Sequence, residues 1–144
     1  MLKDNLVMLR NLHGFSQEET AEKVGISRQA YAKWESGATV PDIEKCARLA
    51  SVYGVTVDGL VNGGNVDGIG RVPPAPEGKN IWGCVTVNDR GQVVIPAAAR
   101  EKLDFKSGTR LVVLSDESGI ALVSAERFEE GMKEALALAL RKTD

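Results

Sequence analysis

Apolar residues recur at helical spacing in the first sixty residues of the chain. Over residues 2–12 the leucines at 2, 6, 9 and 12 stand three or four positions apart, which predicts a helix with one buried stripe that ends at Gly14. The same spacing predicts four more short helices, in residues 17–24, 27–36, 42–53 and 56–60. In the fourth helix, the residues expected to face the core are Ile43, Cys46, Ala47, Ala50 and Tyr53. The apolar pattern of the first sixty residues therefore predicts a five-helix bundle.

Beyond the bundle the helical period stops. Residues 63–78 hold five glycines and three prolines without an apolar period, which predicts a flexible tether that continues as a polyproline spacer. Strand-forming runs and turn signals follow. The predicted elements are strands at 82–87 and 92–95, a short helix from Pro96 to about Leu103, and strands at 109–114 and 120–123.

The last part of the chain is rich in Ala, Leu and Glu and predicts an amphipathic helix. Its apolar face comprises Phe128, Met132, Ala135, Leu136, Ala139 and Leu140. This stripe either packs within the protein's own dimer or docks a partner protein. The predicted fold class is α+β with two domains, and the predicted boundaries are a bundle at 1–62, a Gly/Pro linker at 63–79, a strand-rich domain at 80–125 and the helix at 126–144.

Local signals single out the second and third helices. Ser16 with Glu19 forms a capping box, Gly25 ends the first of the two helices, and Ser27 can cap the second. A connection of about three or four residues forces the helices to cross steeply, which is the geometry of a helix-turn-helix. Small residues are needed where they meet, and Ala21 and Ala30 satisfy that need.

One face of the third helix is polar. At about 100° per residue, the outward side chains are Arg28, Gln29, Ala32, Lys33 and Ser36. Arg suits the edge of guanine, Gln suits the edge of adenine, and Lys binds phosphate. Such charges on an arbitrary helix are most often only solvated. In this context they predict a surface that reads DNA.

This arrangement resembles the phage-repressor (XRE or Cro type) helix-turn-helix family over about residues 2–62. The matching positions are the capping box, Ala21, Gly25, Ser27-Arg28-Gln29, Trp34-Glu35, Gly37 and Pro41. The resemblance implies that Ser27, Arg28, Gln29 and Lys33 contact bases or nearby phosphates, that Gln17 contacts the DNA backbone, and that Arg10 and Glu35 pair to tie the first helix to the third. Ser36 completes the predicted DNA-binding set.

The run from Val87 to Pro96, with Arg100, Leu103 and Gly108, resembles the AbrB/MazE/SpoVT family over about residues 81–128. The resemblance implies a swapped-hairpin β-barrel formed by two interlocked chains, with the helix at 126–144 trailing it. A piece this small needs a second copy to complete its core. The DNA-binding members of that family are more basic at several positions, where this chain has Val85-Thr86, Gln92 and Arg100-Glu101. Arg90, Arg100 and Lys102 are therefore candidates for only a secondary DNA contact.

Composition narrows the function further. The formal net charge is −2, so DNA affinity must come from local placement of charge. Cys46 and Cys84 stand far apart and His13 is the single histidine, which predicts no metal site, no disulfide and no cofactor. No signal peptide or membrane span is indicated, so a cytoplasmic protein is expected. No paired carboxylates, nucleophile–base set or phosphate loop indicates an enzyme.

The sequence thus predicts a dimeric, sequence-specific transcription regulator whose partners are double-stranded DNA and a second copy of the chain. The alternative is an antitoxin-like protein that neutralises a toxin through its C-terminal helix and uses DNA binding for autoregulation.

Overall fold

The computed structural model describes residues 1–141 and has a mixed α and β architecture with two compact units, the first ending at Pro96 and the second starting at Ala97. The first unit contains the predicted helical bundle. Its helices are α1 (Leu2–His13), α2 (Gln17–Val24), α3 (Arg28–Ser36), α4 (Ile43–Tyr53) and α5 (Val57–Asn62). The five-helix prediction is confirmed, with ends that differ by one or two residues.

The bundle helices begin and end where local chemistry dictates. The side chains of Ser16, Ser27, Asp42 and Thr56 each accept a hydrogen bond from a backbone N–H in the first turn of the helix that follows. At the other end, α1 to α4 each stop at a glycine in the left-handed conformation, with φ between 64° and 81°. Because these signals are local, they could be read from the sequence.

The core of the bundle lies where all five helices meet. Leu6, Tyr31, Leu49 and Leu60 are fully buried there. Three predicted core positions are wrong, because Ile43 is 82% exposed, Leu12 is 66% exposed and Ala47 is also exposed. The face of α4 that packs inward comprises Cys46, Leu49, Ala50 and Tyr53. Successive residues rotate by about 100°, so Ala47 lies well to the side of this stripe, and Ile43 lies off its centre in the first turn.

Residues 63–79, here called the strap, differ from the flexible coil that the sequence predicts. Strands β1 (Asn65–Val66) and β2 (Gly70–Arg71) form a short antiparallel pair. The amide of buried Asn5 donates to the carbonyls of Leu60 (2.8 Å) and Gly63 (2.9 Å), which fixes the start of the strap on α1. These bonds use backbone carbonyls, so no apolar period in the sequence reveals them.

Further contacts hold the strap along its length. The guanidinium of Arg71 lies 3.3 Å from the carboxylate of Asp4. Near the far end, the N–H of Glu77 donates to the carbonyl of Gly54 (2.8 Å), and Pro74 is buried. The strap therefore belongs to the first unit and packs on the bundle.

Residues 80–96 form no strand in the single chain, so the predicted strands at 82–87 and 92–95 are not formed here. Their turn is present, because the N–H of Asn88 donates to the carbonyl of Gln92 (3.0 Å) and Asn88 Oδ1 accepts from Arg90 and Gln92. The arms on either side are irregular and expose Ile81, Trp82, Val85, Val87, Val93 and Val94. A strand needs a neighbour to bond, and this stretch of one copy has none that forms a ladder.

The second unit contains one hairpin between two helices. Its elements are α6 (Ala97–Leu103), β3 (Leu111–Ser115), β4 (Ile120–Ser124) and α7 (Ala125–Ala139). The strands pair antiparallel from Leu111 opposite Ser124 to Ser115 opposite Ile120, as the sequence predicts. No closed barrel is present among residues 1–141, where each sheet has two strands. The predicted helix at 126–144 is confirmed as far as Ala139, and residues 142–144 lie outside the described part.

Candidate nucleic-acid interface

The α2–α3 pair has the predicted helix-turn-helix geometry. The N–H of Ser16 donates to the Glu19 carboxylate (2.7 Å), and the N–H of Glu19 donates to Ser16 Oγ (3.0 Å), which completes the capping box. The chain then reverses at Gly25, whose φ of 81° is strained for any residue with a Cβ. Ser27 Oγ accepts from the N–H of Ala30 (3.1 Å) and starts α3. Buried Ala21 allows the two helices to approach.

The inner face of α3 is packed into the bundle. Tyr31 and Trp34 are buried and meet edge to face, with ring centroids 6.1 Å apart. The hydroxyls of Tyr31 and Tyr53 lie 2.8 Å apart, and the Tyr53 hydroxyl donates to Thr20 Oγ1 (3.4 Å). Burial raises the pKa of both tyrosines, so both stay neutral. These contacts fix the rotation of α3 about its own axis.

An ion pair behind α3 ties it to α1. Arg10 Nε donates to Glu35 Oε1 (2.6 Å) and Arg10 Nη2 to Glu35 Oε2 (3.1 Å), with the side chains only 18% and 7% exposed. Arg10 Nη1 also donates to the carbonyl of Phe15 (3.1 Å). The predicted Arg10–Glu35 pair is confirmed. Gln17 joins it, because its amide donates to Glu35 Oε2 (3.0 Å).

The charge of Glu35 makes the bundle sensitive to acid. Burial alone acts to raise the pKa of Glu35, but hydrogen bonds from Arg10, Gln17 and Tyr31 outweigh it, so the pKa lies below its ordinary value. The carboxylate of Glu35 therefore binds a proton more readily in the unfolded chain than in the folded chain. Ionised Glu35 therefore stabilises the fold fully above its unfolded-state pKa of about 4.3. This stabilisation is lost as the pH falls through the lower pKa that Glu35 has in the folded chain.

We expect the stability difference between the native chain and a Glu35→Gln variant to be largest near neutral pH and to shrink below about pH 4.3. Urea unfolding followed by circular dichroism at a series of pH values measures this difference. Other carboxylates titrate in both proteins and cancel in the comparison. A difference that stays constant down to about pH 3 would contradict the assignment of a charged Glu35.

The outer face of α3 is polar and open. Arg28, Gln29 and Lys33 are exposed; Gln29 and Lys33 lie on the side of α3 opposite to the buried Tyr31 and Trp34, and Arg28 lies at the flank of that side. Gln29 and Lys33 stand four positions apart, which is the spacing of neighbours on a helix surface, and Arg28 precedes Gln29 in the first turn of the helix. The helix thus presents a guanidinium, an amide and an ammonium to solvent from a rigid support.

The other predicted contact residues already have structural partners. Ser27 caps α3, and the hydroxyl of Ser36 donates to the carbonyl of Lys33 (3.0 Å) at the other end of the helix. Gln17 is partly buried and uses its amide on Glu35. Each of these residues positions α3, whether or not it also contacts a ligand.

The loop after α3 adds positions that the sequence analysis did not select. Residues 37–40 are all exposed, and the N–H of Thr39 donates to the carbonyl of Lys33 (3.2 Å), which holds the loop against the end of α3. The aliphatic part of Lys3 lies beside Gly37, where a Cβ would stand 3.0 Å from Lys3 Cδ. The sequence of residues 37–40 indicates a turn and carries no motif that would mark these residues as a contact site.

The predicted secondary contact set is divided between the two units. Arg90 is exposed in the turn of the irregular segment 80–96 in the first unit, whereas Arg100 and Lys102 lie on α6 in the second. Lys106 in the loop after α6 pairs with Asp104 (3.1 Å). One acidic residue of this region, Asp104, therefore lies close to a cation.

Within the described residues, no helix is long and apolar enough to cross a membrane, and no group of His, Cys, Asp and Glu could hold a metal ion. Cys46 is buried and Cys84 is exposed, and both are free thiols.

Comparison with known families supports two parts of the chain separately. Residues 6–60 match the family described as "Helix-turn-helix". Residues 85–129 match the family described as "Antidote-toxin recognition MazE, bacterial antitoxin". These two matches fall on the two segments whose motifs were recognised in the sequence.

Several curated proteins resemble the helical bundle. The SPbeta prophage-derived uncharacterized HTH-type transcriptional regulator YonR of Bacillus subtilis is 36% identical over 63 residues, which are 44% of this chain and 58% of that protein. An uncharacterized HTH-type transcriptional regulator of Methanocaldococcus jannaschii is 32% identical over 59 residues, 41% of this chain and 89% of that protein. The chain spans about half the length of most of the curated relatives that it matches.

Among solved structures, the master regulator for biofilm formation SinR in complex with DNA has 25% sequence identity and a TM-score of 0.41, over 43% of this chain and all of that one.

Proposed function

Because this chain belongs to the family of helix-turn-helix transcriptional regulators, we propose that it is a dimeric, sequence-specific DNA-binding regulator that reads the major groove with α3. One observation carries the proposal. The inner face of α3 is fixed by buried Tyr31 and Trp34 and by the Arg10–Glu35 pair, while Arg28, Gln29 and Lys33 remain exposed on the outer face. A rigid helix with a polar outer face meets the geometric demand of direct readout.

The side chains on this face suit different chemical groups of the DNA. Arg28 is suited to a two-hydrogen-bond contact with guanine O6 and N7, and Gln29 to adenine N6 and N7. Lys33 offers a point charge to a phosphate, which supports affinity but carries no sequence information. At the start of α2, the positive end of the helix dipole beside Gln17 favours a second phosphate. Ser27 and Ser36 lie at the two ends of α3.

Dimerisation through residues 80–125 is the second part of the proposal. Val85, Val87, Val93 and Val94 are 44–74% exposed on the two arms, and Val113 and Ile120 are 62% and 73% exposed on the β3–β4 hairpin. Both sets of apolar side chains are exposed, and a second copy of the chain can supply the surface that packs against them. A swapped-hairpin barrel, in which the arms of each chain pair with the other chain, would cover both sets and give the arms neighbouring strands.

A dimer also accounts for how a chain of net charge −2 can bind DNA. Each bundle presents few exposed cations, so one reading domain alone has modest affinity. Joining two of them turns the second binding event into an intramolecular one with a high effective concentration. Arg90, Arg100 and Lys102 would add a weaker, secondary contact.

The test of direct readout is a pair of single substitutions on α3. We expect Arg28→Ala to cost about 1–3 kcal/mol on the best DNA site and to relax the preference at one base pair per half-site. The matched Lys33→Ala variant, also exposed on α3, should weaken binding to all sequences and flatten the salt dependence. Selection from a random DNA pool, followed by binding titrations at several salt concentrations, measures both effects. An equal loss on all sequences for Arg28→Ala would reduce Arg28 to a phosphate contact.

The antitoxin alternative stays a hypothesis, motivated by the MazE family match at residues 85–129. A toxin-like reading frame beside the gene would be the first observation in its favour.

A further inference from the structure

Helix α7 carries an apolar face that the described chain does not cover. Its first turn is anchored, because Ala125 is buried and its N–H donates to the carbonyl of Arg110 (2.9 Å), and Arg110 pairs with Glu129 at 3.7 Å. Beyond that turn the helix is exposed, and Met132, Leu136 and Leu140 are 45%, 58% and 76% exposed. These three residues repeat every four positions and continue a line from Phe128, which is partly buried.

The apolar face of α7 needs a packing partner if the helix is to be stable. An isolated helix of about 12–15 residues is marginal in water, and most helix stability in proteins comes from packing of an apolar face. Residues 129–141 are exposed without exception, so the hairpin supports only the start of α7. Large apolar side chains aligned on one side of an otherwise polar helix mark the missing contact.

The charges of α7 indicate which occupant fits. Residues 126–134 carry four carboxylates (Glu126, Glu129, Glu130 and Glu134) against two cations, and the end of the helix is followed in the sequence by Arg141, Lys142 and Asp144. One end of the helix is thus acidic, and the sequence after the other end has an excess of one positive side chain. A second α7 that runs antiparallel brings each acidic end to the end with the positive excess, whereas a parallel one brings like charges together.

We propose that α7 packs antiparallel against α7 of a second copy of this chain. In a symmetric pair centred near residue 134, Met132 of one helix lies opposite Leu136 of the other, and Phe128 lies opposite Leu140. Ala135 and Ala139 fall in the same seam, and small residues there let the two helices approach closely. This inference concerns the second unit alone and does not rest on DNA binding by α3.

The test is disulfide cross-linking in the full-length chain, with Cys84→Ser to remove the exposed thiol. Two differently tagged chains are co-expressed, one carrying Met132→Cys and the other Leu136→Cys. The antiparallel pair predicts a covalent heterodimer that forms about tenfold faster than the Met132→Cys homodimer, because only the opposed positions bring two Cβ atoms within disulfide reach. The matched control replaces Leu136→Cys by Ala137→Cys, one residue further round the helix and outside the seam, and should cross-link slowly.

Three results would overturn the proposal. Faster cross-linking of Met132→Cys with itself would mean a parallel pair. Equal slow rates for all combinations would mean that α7 of a second copy is not the occupant, as expected if a different protein covers the stripe. Equal cross-linking of the Leu136→Cys and Ala137→Cys chains would mean random collision. Since none of these substitutions lies in residues 1–62, failure here would leave the α3 readout experiment unaffected.

Discussion

Replacing Glu35 by alanine is expected to lower the free energy of unfolding of the helical bundle by about 3 kcal/mol or more. The substitution leaves the guanidinium of Arg10 only 18% exposed with its main acceptor gone, and it removes the acceptor for the Gln17 amide as well. A small domain has a total stability of about 5–15 kcal/mol, so much of it would be lost. Thermal and urea unfolding of the full-length variant, followed by circular dichroism, measures the effect.

The chain offers a matched control for this substitution. Arg48 and Glu44 form a second Arg–Glu pair at 2.7 Å, but their side chains are 47% and 68% exposed. Glu44→Ala should therefore cost less than about 1 kcal/mol. The double variant Arg10→Met with Glu35→Leu should recover part of the stability, since no charge is then left buried. Equal small effects for Glu35→Ala and Glu44→Ala would show that the pair behind α3 is no more than a surface contact.

A chain that ends at Lys79 is expected to bind the selected DNA site about 10²–10⁴-fold more weakly than the full-length protein while keeping the same base preferences. It retains α3 and the strap but lacks residues 80–144, which we propose to hold two copies together. Fluorescence anisotropy titrations give the affinity, and sedimentation gives the mass. Ending the chain at residue 79 rather than 62 keeps the Asn5 bond to Gly63 and the Arg71–Asp4 pair intact.

The complementary fragment, residues 80–144, should be a stable dimer that binds the same DNA far more weakly than the whole protein. A monomeric fragment would remove the basis for the effective-concentration argument. Sequence-selective binding by the fragment would instead show that this part reads DNA itself, and Arg90, Arg100 and Lys102 would be the first residues to replace.

Features with local causes could be predicted from the sequence. The capping box at Ser16 and Glu19, the cap at Ser27 and the glycine at 25 act within one turn of chain, so the helix-turn-helix follows from them. The hairpin at residues 111–124 follows equally from its strand pattern and turn. The Arg10–Glu35 pair spans 25 residues and could be expected only through the family resemblance.

Features set by distant or absent partners could not be predicted. The strap depends on Asn5, whose bond to Gly63 joins residues 58 positions apart through a backbone carbonyl that leaves no trace in the residue pattern. Ile43 has the apolar character of a core residue, but the rotation of α4 in the bundle decides its exposure. The strands expected at 82–87 and 92–95 require hydrogen-bonding neighbours that one copy does not provide.

The exposed arms around the Asn88 turn also bear on how long a newly made chain survives. Exposed, irregular segments are preferred sites of proteolytic cleavage, and apolar ones are also recognised as incompletely folded. Assembly hides such a segment, and assembly depends on protein concentration. If two copies cover each other's arms, a scarce chain would be degraded faster than an abundant one. The cellular amount of this regulator would then rise more steeply than its rate of synthesis, which sharpens the change from unoccupied to occupied DNA.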